Sequence, residues 1–292
     1  MIRQAGLGAT VTAVSMATCT LVCAYLALHP PRRPVTRPDD LSTGCYESVC
    51  FLARDGIPLS GWFCARPGAS ATIILCHGYP ANRSEMLGWA RLFGEAGFHT
   101  LLFDFRAMGE SGGNRTSIGL QEVQDLLGAV DFVASRPETA GHPIGVYGFS
   151  MGGAVAIMAA AQEARIAAVA THGAYATLER AIHQRGRMIL GPIGRIFSAP
   201  AVFWMQQWLG EHPRRIAPVD QVARIAPRPL FLSHGTEDPV VHPEDARILF
   251  RAARPPKLLR LLPRSRHAWI DPAVYPAYRQ ELTRFFKEAF RA

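Results

Sequence analysis

Sixteen residues constrain this chain more than any others: Ile144-Gly-Val-Tyr-Gly-Phe-Ser150-Met-Gly-Gly-Ala-Val-Ala-Ile-Met-Ala159. Ile144, Val146 and Tyr147 end a β-branched and aromatic run, whereas Met151 to Gln162 is rich in Ala and Met, as a buried helix would be. Between them, Gly148-Phe149-Ser150-Met151-Gly152 reads as a G-x-S-x-G corner joining strand to helix. Such a corner holds its serine at strained backbone angles and admits no side chain two residues before or after it, because strand and helix nearly touch there. Ser150 is therefore expected at the carboxyl end of a sheet, beside a helix N-terminus whose free N–H groups favour developing negative charge.

The rest of the chain falls into place around that corner. Tyr46 to Arg54 and Leu59 to Ala65 read as a hairpin turning at Asp55-Gly56-Ile57-Pro58. Thr72 to Cys76 and Thr100 to Phe103 are short apolar runs, hence central strands, and between them Asn82 can cap a helix that ends at Gly97. A helix is predicted over about 117–135, followed by strands at Ile166 to Thr171, Arg228 to Ser233 and Lys257 to Leu262. An amphipathic helix over Pro276 to Phe290 closes the chain. Apolar strands alternating with helices imply an α/β fold with a mostly parallel sheet covered on both faces, and a site beyond the carboxyl ends of the strands.

One segment breaks the rhythm. Residues from about 176 to 227 stand where a crossover needs only about a dozen, and they carry Met188, Ile189, Ile196, Phe203, Trp204 and Trp208. A helical cap insertion is expected there, its apolar residues lining an acyl pocket or touching a bilayer.

The N-terminus has its own character. From Gln4 to Leu28 no residue is charged, and an apolar run of this length can cross a hydrocarbon core, which takes about 20 helical residues. Residues 1–29 are therefore expected to form one transmembrane anchor, residues 30–44 an exposed linker closed off by Pro30, Pro31 and Pro34, and residues 45–292 the globular domain. A cleaved signal peptide, leaving a secreted or periplasmic protein, is the alternative. The stretch is longer than the usual h-region and no small-x-small cleavage site follows it. Arg3 on one side against Arg32, Arg33 and Arg37 on the other leans towards a cytoplasmic domain.

The net charge of +8 does not indicate a nucleic-acid partner, because the basic residues are scattered, only Lys257 and Lys287 are lysines, and no nucleic-acid-binding motif accompanies them. Cys76 falls in an apolar strand. Cys45, Cys50 and Cys64 are the cysteines available for pairing in an oxidising compartment, with three free thiols the alternative.

Two serines compete for the role of nucleophile, since Gly109-Glu110-Ser111-Gly112-Gly113 also matches G-x-S-x-G. Ser111 is separated from its strand by Asp104 to Gly109 and is followed by no helix; Ser150 meets both structural conditions. An attacking serine needs a histidine to take its proton and a carboxylate to orient that histidine. Asp238, in the loop after the strand ending at Ser233, is the candidate acid, with Glu237 its rival and Asp220 and Asp245 read as surface charges. His267, in the short loop after the strand ending at Leu262, is the candidate base; His234 and His242 are read as structural.

Taken together, His77-Gly-Tyr-Pro80, Asp104-Phe-Arg106, Gly148-Phe-Ser150-Met-Gly152, His234-Gly-Thr-Glu-Asp238 and His267 resemble, in order, the landmarks of the α/β-hydrolase superfamily over residues 45–292. The resemblance implies that fold and a Ser150–Asp238–His267 triad. It also implies an oxyanion site made by the backbone N–H groups of Tyr79 and Met151, a structural role for His77, and no cofactor or metal. It points to a membrane-anchored serine hydrolase acting on a small-molecule carboxylic ester. A thioesterase or acyl/aminopeptidase-like amidase with the same triad is the alternative, and a catalytically silent membrane scaffold a remote one.

Overall fold

A computed structural model describes residues 17–37, 46–267 and 275–291. Its centre is an eight-stranded sheet in the order β1-β2-β4-β3-β5-β6-β7-β8. The strands are β1 (Glu47–Leu52), β2 (Pro58–Cys64), β3 (Thr72–Cys76), β4 (His99–Phe103), β5 (Ile144–Phe149), β6 (Ile166–His172), β7 (Leu230–Gly235) and β8 (Lys257–Leu262). The hairpin β1–β2 is antiparallel and pairs antiparallel to β4; every later pairing is parallel.

Alternation along each central strand builds two cores. Ile74, Cys76, Leu101, Phe103 and Val146 face one layer, formed with α3 (Glu122–Ser135), α4 (Met151–Ala160) and α8 (Pro243–Ala252). Ile73, Leu75, Leu102 and Tyr147 face the other, where Trp89 and Phe93 of α2 (Leu87–Glu95) and Tyr278, Leu282 and Phe286 of α9 (Pro276–Ala289) cover them. Burial on both faces keeps charged residues out of these strands.

Between β6 and β7 lie α5 (Leu178–Leu190) and α6 (Gly194–Leu209), a helical hairpin turning at Gly191–Ile193, followed by the short α7 (Pro218–Gln221). A Cβ added at Gly194 would lie 2.1 Å from the Gly186 carbonyl oxygen, so α5 and α6 cross at a pair of glycines. The insertion is thus helical, as the length and position of the segment lead one to expect. Asp245 is a correction to the reading of it as a surface charge: it is buried and accepts hydrogen bonds from Ala176 N at 2.9 Å and Arg180 Nε at 3.2 Å, tying α8 to the start of the insertion.

The N-terminal segment also departs from expectation. Residues 17–28 are helical (α1), and residues 1–16 of the expected anchor lie outside the described residues. No helix among the described residues is long and apolar enough to cross a membrane. Instead of standing apart, α1 buries Thr20, Ala24 and Leu28, spaced one turn apart, and Leu28 O accepts from Thr116 N at 2.8 Å. Residues 31–37 are mostly exposed, as a linker would be, yet they are not free. Arg32 donates to the carbonyls of Gly109 (2.9 Å), Ser111 (2.6 Å) and Gly113 (2.8 Å), and Asn82 Nδ2 donates to Arg33 O and Pro34 O. Among the cysteines, Cys50 is an exposed free thiol, Cys64 is buried in β2, and Cys45 lies outside the described residues.

A carboxylate cluster ties the first hairpin to the sheet's helical face. Arg54 bonds Asp131 at 2.8 Å and Glu163 at 2.6 Å, and Arg165 bonds Glu163 at 2.7 Å. Hydrogen bonds from Arg165 and then Arg54 outweigh burial and hold Glu163 at about 2. A carboxyl held below its unfolded value, about 4.3 for Glu, stabilises the fold above that value and ceases to as pH falls through the folded one. Chemical denaturation from neutrality down to pH 3 is therefore expected to show a shallower acid loss in Glu163→Gln than in the parent chain. Parallel curves for the two proteins would rule the cluster out as a source of acid sensitivity.

Candidate active site

The corner after β5 has the geometry its glycines require. Ser150 sits at φ 52° and ψ −117°, the left-handed region that a side chain avoids unless its surroundings enforce it. They do so here by close approach. A Cβ at Gly148 would meet the Gly152 carbonyl oxygen at 2.3 Å, and one at Gly152 would meet the Cys76 carbonyl oxygen at 2.3 Å. Gly152→Ala must therefore push backbone against backbone, which is expected to cost about 3 kcal/mol and to lower the melting temperature by roughly 10 °C. A thermal melt matching that of the parent chain would contradict the packing described.

Three loops at the carboxyl edge converge on this serine. Ser150 Oγ lies 2.9 Å from His267 Nε2, and His267 Nδ1 lies 2.6 Å from Asp238 Oδ2. With Nδ1–H donating to the carboxylate, Nε2 is left to accept the Ser150 hydroxyl proton. Gly173, at φ +65°, takes a backbone conformation that favours glycine beside the imidazole, where a Cβ would make ordinary contact with His267 Cε1 at 3.4 Å. Glu237, the rival acid, is exposed, whereas the Asp238 carboxylate is fully buried.

Asp238 is fixed from two sides. Oδ1 accepts the backbone N–H groups of Val240 (2.8 Å) and Val241 (3.0 Å). Oδ2 faces His267 and also His234 Nε2 at 3.1 Å, which lies 2.8 Å from the Val241 carbonyl oxygen as well. Two acceptors at one nitrogen mean that His234 carries its proton on Nε2 and donates. Burial pushes the Asp238 carboxyl up, but the hydrogen bonds from His234 and His267 outweigh it and hold the group well below the usual carboxylate range. His234 thus supports the acid directly, a role beyond the structural one read from its place at a strand end. Its position four residues before Asp238 was the only available signal.

The other candidates separate cleanly. Ser111 is buried, donates to Asp104 O at 2.5 Å and accepts from Ser60 N at 2.9 Å, so its hydroxyl is committed to the loop. That loop is further held by Arg83, which pairs with Asp104 and Glu110. His77 lies with Nδ1 2.8 Å from Gly78 O and accepts from Phe105 N at 3.0 Å on Nε2, a structural bridge between the loops after β3 and β4. His242 caps α8 by accepting from Glu244 N.

The expected oxyanion donors belong to the two segments next to Ser150. Met151 is the first residue of α4, and the first N–H groups of a helix have no partner within it. The His77–Tyr79 loop passes against the serine, since a Cβ at Gly78 would lie 3.3 Å from Ser150 Cβ. The Gly78 amide is taken by Glu85 at 2.7 Å, and Tyr79 follows it. The Tyr79 hydroxyl donates to Ala27 O at 2.9 Å, so α1 braces the loop that carries this amide.

Comparison with known proteins agrees with this architecture. Residues 71–191 match the family model described as the alpha/beta hydrolase fold. The chain is 29% identical to the uncharacterized protein YfhR of Escherichia coli O157:H7 over 91% of each chain. It superposes on an esterase of Pyrococcus furiosus with a TM-score of 0.75 at 25% identity, covering 90% of this chain and 98% of that one. Over a shorter stretch, 41% of this chain and 39% of the other, it is 33% identical to the thiohydrolase aneE of Aspergillus aculeatus.

Proposed function

Because this chain is a member of the α/β-hydrolase superfamily, we propose that it is a serine hydrolase cleaving carboxylic esters through an acyl-enzyme, with Ser150 as nucleophile, His267 as base and Asp238 as its orienting acid. The observation that carries this reading is the unbroken line from Ser150 Oγ through both nitrogens of His267 to Asp238 Oδ2, at 2.9 and 2.6 Å.

In the acylation step Ser150 Oγ attacks the ester carbonyl carbon while His267 Nε2 takes the hydroxyl proton. The new oxyanion accepts hydrogen bonds from the amides of Tyr79 and Met151, each donor of this kind lowering the barrier by about 3 kcal/mol. His267 then gives its proton to the departing alkoxide as the carbon–oxygen bond breaks. Water, deprotonated by the same histidine, attacks the acyl carbon and releases the acid and free Ser150. Asp238, held ionised by its four donors, stabilises the imidazolium throughout.

A thioester substrate is the second reading, favoured by the likeness to the thiohydrolase. The triad chemistry is common to both, so the leaving group decides. Turnover on matched oxygen-ester and thioester pairs with identical acyl groups separates them. A kcat/KM higher for the ester supports the first reading, and a higher value for the thioester supports the second. Hydrolysis of neither by the full chain would refute both.

A further inference from the structure

Exposed large apolar side chains are unevenly spread over this molecule. Among the described residues they fall on α1 and on the α5–α6 hairpin, with Leu52 and Leu258 the exceptions. The hairpin tip presents Met188, Ile189, Leu190, Ile193 and Ile196, with Ile189 64% and Ile196 59% exposed. A monomer gains nothing by leaving such a cluster in water, and clusters of this kind mark contact surfaces. On α1, Val22, Tyr25 and Leu26 are exposed, and the Tyr25 ring meets Trp208 of α6 edge-on at 5.8 Å. The two apolar elements are therefore in contact.

Charge identifies the partner. Between Glu179 and Glu211 the sequence holds no aspartate or glutamate, and of the four arginines there Arg180 is paired with Asp245. Arg185 and Arg187, next to the tip, are exposed. An apolar tip with arginines at its flank suits an interface that is hydrocarbon at its centre and anionic at its edge. A second copy of this chain suits it less, because two hairpin tips brought together would each contribute exposed Arg185 and Arg187 and, between Glu179 and Glu211, no carboxylate to offset them. The sequence leading into α1 continues the theme, being uncharged from Gln4 onwards.

We propose that the α5–α6 hairpin tip, with the exposed side of α1, docks on an anionic lipid bilayer. This is independent of the chemistry assigned to Ser150. It requires insertion of side chains at the headgroup level and no membrane-crossing helix.

Flotation of the full chain with vesicles tests it, using equimolar phosphatidylcholine and phosphatidylglycerol against phosphatidylcholine alone. The parent chain is expected to partition preferentially onto the anionic vesicles. Ile189→Glu/Ile193→Glu should weaken that partitioning by about tenfold or more, and Arg185→Gln/Arg187→Gln should remove most of the preference for anionic over neutral lipid. Circular dichroism and thermal melting of each variant establish that it is folded. The proposal is overturned if the parent chain binds neither vesicle, or if the folded isoleucine variant partitions as the parent does. It is equally overturned if these variants turn a dimeric parent into a monomer while leaving lipid binding unchanged.

Discussion

Ser150→Ala should lower kcat on an activated ester by at least about ten-thousand-fold while leaving the melting temperature near that of the parent chain. The size of the effect follows from the assigned role. Without Oγ no acyl-enzyme can form, and what remains is binding and whatever polarisation the Tyr79 and Met151 amides give to a direct attack by water. The stability expectation follows from the site: the hydroxyl hydrogen-bonds to His267, itself partly exposed, and removing the hydroxyl opens no large cavity. The matched change Ser111→Ala should behave in the opposite way. It strips partners from Ser60 N and Asp104 O and so perturbs the loop, but it touches no reacting atom. A Ser150→Ala protein that retained a tenth of the parent activity would require a different nucleophile.

Asp238→Asn is expected to cost about as much, roughly ten-thousand-fold, for a reason specific to this loop. The amides of Val240 and Val241 both point at Oδ1 and demand an oxygen there. The asparagine must then place its NH2 group where Oδ2 was, facing two N–H donors, His267 Nδ1 and His234 Nε2. His267 escapes the clash by moving its proton to Nε2, the tautomer that cannot accept from Ser150. Steady-state kinetics should show the loss in kcat with KM little changed, and restoring aspartate should recover the rate. Parent-like turnover in a folded Asp238→Asn protein would remove the carboxylate from the mechanism.

Much of this architecture is legible in local sequence because its causes are local. The corner at Ser150 needs glycine at positions 148 and 152, and both are visible. The strands are buried on both faces and so read as apolar runs, and the order of Ser150, Asp238 and His267 places each at the carboxyl end of a strand. What escapes the sequence is set by contacts between distant segments. The helix predicted from residue 117 begins at Glu122 because the Glu122 carboxylate gathers Thr116 Oγ1, Ser117 N, Ser117 Oγ and Gly119 N around itself, holding the preceding residues as a loop. Asp245 looks like any acid in an amphipathic helix until Ala176 and Arg180 are brought to it. The N-terminal run reads as a separate anchor because hydropathy reports apolar length alone. It carries no sign that Leu28, Arg32 and Arg33 meet the loops after β3 and β4. That docking also means that removing the segment up to residue 45 would take away supports of the Tyr79 loop along with any anchor.

In the proposed mechanism one serine, at one strained corner, does the chemistry. Reaction of the full chain with a fluorophosphonate, followed by proteolysis and mass spectrometry of the adduct, tests it without knowledge of the natural substrate. A single stoichiometric adduct is expected on Ser150, lost in Ser150→Ala and retained in Ser111→Ala. An adduct on Ser111, or no adduct in a folded protein, would contradict it.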